Sequence, residues 1–293
     1  GHDVILMTDD TTNKIDVNKG FLARQKWMAA DKTLVLMGRP HADIFHQDLD
    51  IPDNVTIRLT FTPNDNKFVL MAAAAATFKL ELLEARLLVR TKKLSENACA
   101  AHREMCLENG GYRFPLVKTV MNLHDVKGGI LEVGSLVPSN TLPSRLVLGL
   151  VDTAAIAGAY NLNPFHFKNA GITGMKLTVG GQPVPREGLT MNFATGDYLT
   201  AYYTMLGAMG MDIGNRAIAI TPHEWANGYN LYAMKLQPGP IELRDSAMGE
   251  KDKQGLCSAN LSFATAAAGL TLIVYAEVPG AVHISPAGEV TLV

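Results

Sequence analysis

From Tyr112 to the C-terminus the chain is a succession of short β-prone runs separated by proline and glycine, and this texture constrains the fold more than any other feature. The runs are FPLVKTVMNLHDV, ILEVGSLV, RLVLGLVD, MKLTVGG, LYAMKL, CSANLSF, LTLIVYAEV and GEVTLV. Pro138, Pro143, Gly158, Pro183, Gly188, Pro238, Gly239, Pro240, Pro279 and Gly288 fall between them. Many short strands joined by such connections predict a sandwich or barrel of the jelly-roll kind.

The stretch Asn163–Pro185 shows the pattern in miniature. Asn163-Pro164 refuses a helix, Met175 to Val179 reads as a strand, and Gly180-Gly181 turns the chain toward Pro183 and Pro185. Thr195 to Met211 departs from the texture, with apolar residues at helical spacing, and predicts one helix in a loop between strands. Ser95 to Asn109 predicts a second helix, with Ser95 as N-cap, Glu96 in the first turn and Gly110-Gly111 at its end. Cys99, His102, Met105 and Cys106 share a face of it, as a packing stripe would.

Before that helix the reading is also β. Residues 1–20 read as a loop, Thr33 to Met37 as a strand leading through a Gly38-Arg39-Pro40 turn into another strand, which would put His41 and His46 on opposite faces, and Asn54 to Thr62 as a period-two strand. Phe68 to Val89 reads as strand, polyalanine turn, strand, with a helix from Ala72 to Val89 as the alternative.

Chemistry is sparsely signalled. The eight histidines, His2, His41, His46, His102, His124, His166, His223 and His283, show neither HxH nor HExxH spacing. Cys99, Cys106 and Cys257 form no disulfide framework or metal knuckle, and reduced thiols point to synthesis inside a cell. No GxSxG elbow occurs, and the glycines near Thr178 lack the lysine and serine of a phosphate loop. Asp9-Asp10 and Glu81 with Glu84 are the carboxylate pairs, none with a sign of facing across a cleft. We therefore expect no enzyme, no catalytic, cofactor-binding or metal-ligating residues, and no cofactor.

A net charge of -2 argues against a dedicated nucleic-acid binder, and Arg86, Arg90, Lys92 and Lys93 read as a solvated strand end. No apolar run is long enough to span a membrane as a helix. Trp27, Trp225, Tyr202 and Tyr203 could line a carbohydrate groove, which makes a carbohydrate- or ligand-binding jelly-roll module the alternative function.

A set of colinear motifs goes further. They are NKGFLARQK (18–26), MGRPHADIFHQD (37–48), LLVRTKKLS (87–95), AHREMCLE (101–108), LPSRLVLGLVD (142–152), the whole of 163–185, MNFATGDYLTAYYTML (191–206), WANGYNLYAMKLQP (225–238) and LIVYAEV (272–278). In these the chain resembles the double jelly-roll, hexon-like major capsid proteins of Polinton/Maverick elements and adintovirus-like viruses. The resemblance implies a mostly β double jelly-roll with a few short helices. Residues 1–95 would be the C-terminal part of a first, incomplete jelly roll, 96–111 a linker helix and 112–293 the second jelly roll. It further implies homotrimers forming pseudo-hexagonal capsomers in the icosahedral shell of a virion, with neighbouring capsomers and minor capsid or penton proteins as partners. Two jelly rolls need roughly 300–400 residues, so the 293 residues are short of the family's N-terminal segment, which is expected as an associated fragment or replaced by a partner. The alanines at 72–76 depart from the more polar family texture.

Overall fold

A computed structural model describes residues 26–27, 33–47, 49–52, 55–138, 142–212, 218–236 and 255–292. The expected loop at 1–20 lies outside them. The described chain is mostly β, and its strands form one antiparallel sheet, with the chain dividing into two compact units.

The first unit (1–37, 64–78 and 119–278) holds most of the sheet. Strands β1 (Tyr112–Val133), β2 (Arg145–Asp152), β3 (Ile172–Val179), β4 (Gln182–Thr190), β5 (Leu231–Lys235) and β6 (Cys257–Ile284) contribute to it. The order is β4-β3-β6-β2-β5, with β1 also on β6. β6 serves two neighbours in turn: residues 257–263 pair with β3, and residues 270–277 pair with β2. The runs CSANLSF and LTLIVYAEV, expected as separate strands, are therefore one. Pro279 lies within β6 rather than in a turn, and is tolerated because the β2 ladder ends at the Arg145–Glu277 pair, so no β2 carbonyl loses a donor.

β2 lies between β5 and β6 and is buried on both faces from Leu148 to Val151, which is why RLVLGLVD is a continuous apolar run rather than an alternation. Gly149 is required there. A Cβ at this position would come within 2.7 Å of the Phe167 ring and 2.8 Å of a Leu231 methyl.

The Asn163–Pro185 stretch forms as a loop, a strand and a turn. Asn163 Oδ1 accepts the Phe165 N–H at 2.8 Å, an Asx turn, and β3 follows. Gly180 and Gly181 have φ of 56° and 83°, the left-handed values a two-residue hairpin needs, and Val179 faces Gln182 across it. Pro183, Pro185 and Gly188 lie within β4 and not in a connection. Among the described residues β4 pairs only with β3, so its prolines remove no bond from a second described neighbour, and residues between the Val184 and Leu189 pairs are accommodated by a register shift.

Two predicted helices form. α2 (Glu96–Glu108) has Ser95 Oγ accepting the Ala98 N–H at 3.4 Å, and Cys106 is its buried residue. α4 (Leu199–Ala208) starts later than the apolar spacing suggested, because Asn192 Oδ1 accepts the Ala194 and Thr195 N–H groups and the Asn192 and Asp197 backbones exchange N–H to carbonyl bonds, holding 192–197 as a turn. α4 packs over β5. The short helices α1 (Asn66–Val69) and α3 (Thr153–Gly158) pack on each other, and α5 (Pro222–Ala226) leads toward β5.

Leu136, Leu146, Leu148, Leu150, Ile172, Met175, Leu177, Leu261, Leu272 and Val274 form the centre of the core, each essentially inaccessible. Burial of each such side chain stabilises by about 1.5–3 kcal/mol, so this cluster dominates the unit's stability.

The second unit (38–63, 79–118 and 279–293) contains α2, the first residues of β1, the last of β6, and β7 (Val290–Leu292), which pairs with residues 282–284. Asp43 accepts the Val117 N–H at 2.9 Å, and the Gln47 amide donates to the Pro115 carbonyl.

Among the described residues, the strands expected at Thr33–Met37, over 55–62 of the Asn54–Thr62 run and on both sides of the alanines at 72–76 do not appear in the sheet, and the alternative helix from Ala72 to Val89 is also absent. In their place are α1, capped by Asp65, and a turn closed by the Ala76 N–H on the Ala73 carbonyl. Alternation specifies which side chains share a face, but a strand also requires a ladder partner.

Candidate functional site

An aromatic cluster in the first unit surrounds Trp225. Thr221-Pro222-His223-Glu224 is a capping box: Thr221 Oγ1 accepts the Glu224 N–H at 3.2 Å, and Glu224 Oε2 accepts the Thr221 N–H at 2.8 Å. This starts α5 and directs Trp225 inward. The indole N–H donates to the Leu231 carbonyl at 2.9 Å. Tyr232 meets the indole edge-on at 5.4 Å, with Phe193, Tyr198 and Tyr202 about it at 6.2, 6.0 and 6.0 Å. Trp225 is 0% exposed.

That burial removes the basis of the carbohydrate alternative. A stacking platform must present its face to solvent, and Trp225 presents none. Tyr202 is committed as well, donating to the Ile220 carbonyl at 2.8 Å. Trp27 and Tyr203 are exposed, at 59% and 62%, and among the described residues neither has a ring contact with the cluster.

Beneath the cluster, Asn230 and Tyr232 are buried at 0% and 2% exposure. Burial pushes the Tyr232 hydroxyl well above the usual phenol range, while its side-chain hydrogen bond with Asn230 pulls the other way. The two side chains lie side by side, and among the described residues no other protein group satisfies Asn230 Nδ2, Asn230 Oδ1 or Tyr232 Oη. Nothing in the sequence pattern marks Asn230 apart from its place at the start of LYAMKL.

The other candidate groups stay apart. His41 and His46 were expected on opposite faces of a strand, but a 3-10 turn, Asp43–Phe45, brings their rings to 5.8 Å. Among the described residues no three His, Cys, Asp or Glu side chains come together to hold a metal. On α2, Cys106 is buried, Cys99 half-buried and His102 exposed. Burial pushes the Cys257 thiol up to about 11, which makes it a poor nucleophile. Asp9-Asp10 and His2 lie outside the described residues. Glu84 pairs with Arg86 at 2.5 Å and Lys92 with Asp50 at 2.8 Å, all exposed, so the basic run is solvated and partly neutralised.

An open depression of about 510 Å³ lies in the first unit between the alanine turn (Ala74, Ala75, Ala76) and residues 158–161. Tyr160 closes its wall, donating from Oη to the Phe78 carbonyl at 2.5 Å and accepting the Ala72 N–H at 2.7 Å. Its lining brings no set of polar groups to one point.

Exposed apolar surface is the most conspicuous property. In the first unit Val35, Leu36 and Met37 are 82–89% exposed, and Met121 and Leu123 of β1 are also open. In the second unit Leu82, Leu83, Leu87, Leu88 and Val89 are all more than half exposed on one extended run. Among the described residues, no helix is long and apolar enough to cross a membrane.

No protein-family model matches the chain. An uncharacterized protein of Caenorhabditis elegans is 26% identical over 276 residues, covering 89% of this chain; the chain spans 62% of that relative's length. Among solved structures, the chain is similar to the Sputnik virophage, with a TM-score of 0.40 and 11% identity over 63% of this chain and 39% of the other. It is similar to the mavirus major capsid protein at 0.32 and 13%, over 62% and 41%, and to the PBCV-1 virus capsid at 0.31 and 11%, over 64% and 52%.

Proposed function

We propose that the chain is a structural shell protein: a viral or virus-derived major capsid protein of the double jelly-roll kind, acting through its surfaces and not as an enzyme. In this reading residues 1–95 belong to a first jelly roll, 96–111 form the linker helix and 112–293 the second jelly roll. Three copies make a pseudo-hexagonal capsomer, and capsomers meet one another and minor capsid or penton proteins in an icosahedral virion. The Polinton and adintovirus-like affinity rests on the colinear motifs between residues 18 and 278.

The observation that carries the reading is the apolar surface of the extended run around Leu82, Leu83, Leu87, Leu88 and Val89. Large apolar side chains left in water along an extended chain mark a surface for a protein partner, and obligate assemblies bury interfaces of about 2,000 Å² or more. A neighbouring copy of the chain would cover it.

Native mass spectrometry with negative-stain microscopy tests this. A trimer, and particles with hexagonal units at higher concentration, is the expected result. A strictly monomeric species at high concentration overturns it.

A further inference from the structure

We propose that residues 80–90 of the second unit pair antiparallel with the same run of a second copy, about a two-fold axis at Ala85. The proposal rests on the reading of this run as an assembly surface and adds its occupant, register and symmetry. The whole run is exposed, with Leu82, Leu83, Leu87 and Leu88 all open.

The run is complementary to its own reverse. With Ala85 opposite its copy, Glu84 faces the second copy's Arg86, Leu83 faces Leu87 and Leu82 faces Leu88, and the two-fold repeats each pair. Toward the ends Glu81 meets Val89 and Leu80 meets Arg90, so no like charges stand opposite each other. Alternation places Leu83, Ala85, Leu87 and Val89 on one face, and Glu84 and Arg86 between Leu82 and Leu88 on the other. Within one chain the Arg86 guanidinium already reaches Glu84 at 2.5 Å, so the axis would gather four charges of alternating sign. Cross-strand apolar and opposite-charge pairs of this kind are what stabilise an antiparallel ladder. A slip of one residue loses the match, because Glu84 then faces Leu87 and Lys79 faces Lys92.

A two-stranded pairing is marginal alone in water, so a covalent trap is the fitting readout. Directly opposed residues of an antiparallel pair lie within disulfide reach. In the full chain under a glutathione redox buffer, Ala85→Cys should form a disulfide-linked dimer well above the wild-type background from Cys99. Leu83→Cys alone should not, whereas Leu83→Cys mixed with Leu87→Cys should. Adding Glu84→Arg to Ala85→Cys should slow cross-linking about tenfold, and adding Arg86→Glu to that variant should restore it. Cross-linking of Ala85→Cys at the wild-type rate overturns the proposal and leaves the run to a different partner. Failure of the charge swap to restore the rate also overturns it. Trimers seen by native mass spectrometry without the Ala85 cross-link would sink this contact and leave the shell reading standing; the cross-link without trimers would do the reverse.

Discussion

Arg145 and Glu277 stand directly opposite each other on β2 and β6, and the guanidinium grips the carboxylate with two bonds, Nε to Oε2 at 2.9 Å and Nη2 to Oε1 at 2.7 Å. The carboxylate is nearly buried, and the Ser144 hydroxyl and N–H both donate to the Glu277 backbone carbonyl. The pair locks the register of the ladder on which the core is built. Removing one partner leaves a charge in a partly dehydrated place, so Arg145→Met should cost about 3 kcal/mol or more. Urea unfolding measures this. A loss below about 0.5 kcal/mol would show the pair to be no more than a surface contact.

Gly149 makes a second prediction. Its α-hydrogen on the side where a Cβ would stand points at the half-buried Phe167 ring and Leu231 side chain. Gly149→Ala should destabilise by about 1–3 kcal/mol through overpacking. Adding Phe167→Leu should restore part of that loss, and a double-mutant cycle on the denaturation midpoints reads the coupling.

Trp225 is a structural anchor, and its variants should behave as core variants. Trp225→Ala should cost about 3–5 kcal/mol, while Trp225→Phe, which keeps most of the ring and orphans the Leu231 carbonyl, should cost about 1–3 kcal/mol. Thermal unfolding followed by tryptophan or tyrosine fluorescence checks the order of the two.

Alkaline pH should act through Cys257. Its folded thiol titrates near 11 against 9.0 for the free group, because burial disfavours the thiolate. Below pH 9 both states are protonated and the difference has no effect. As pH rises from 9 toward 11 the unfolded chain releases a proton that the folded chain retains, so stability falls over that window. Cys257→Ala should flatten this part of the pH profile. In the native protein at pH 8, Ellman's reagent should reach Cys257 only after denaturant is added.

Much of this architecture is visible in the sequence from residue 95 onward. Ser95 with Glu96, the LTAYYTMLGA spacing, RLVLGLVD and the Gly180-Gly181 turn each carry their own local cause: a cap, a helical stripe, a doubly buried run, and a backbone only glycine adopts readily. The period-two alternation of residues 55–62 looked as clear, yet it joins no sheet. Its pattern describes a face and says nothing of a neighbour. The prolines of β4 were misplaced for the same reason: a proline excludes a central strand, and only the sheet order reveals that β4 is an edge.

The Trp225 cluster followed the same division. The Thr221–Glu224 capping box is readable in four consecutive residues, but whether the tryptophan it launches faces a groove or the core depends on Phe193, Tyr198, Tyr202 and Tyr232, which arrive from other elements. The sequence by itself determined local choices: where helices start, where a hairpin turns, and that the chain is mostly β, because these depend on neighbours within a few residues. Only the tertiary structure decided which extended runs found ladder partners, that β6 serves β3 and β2 in succession, and that Asn230 and Tyr232 are sealed together. Those outcomes depend on pairings between residues far apart along the chain, which local propensity does not encode.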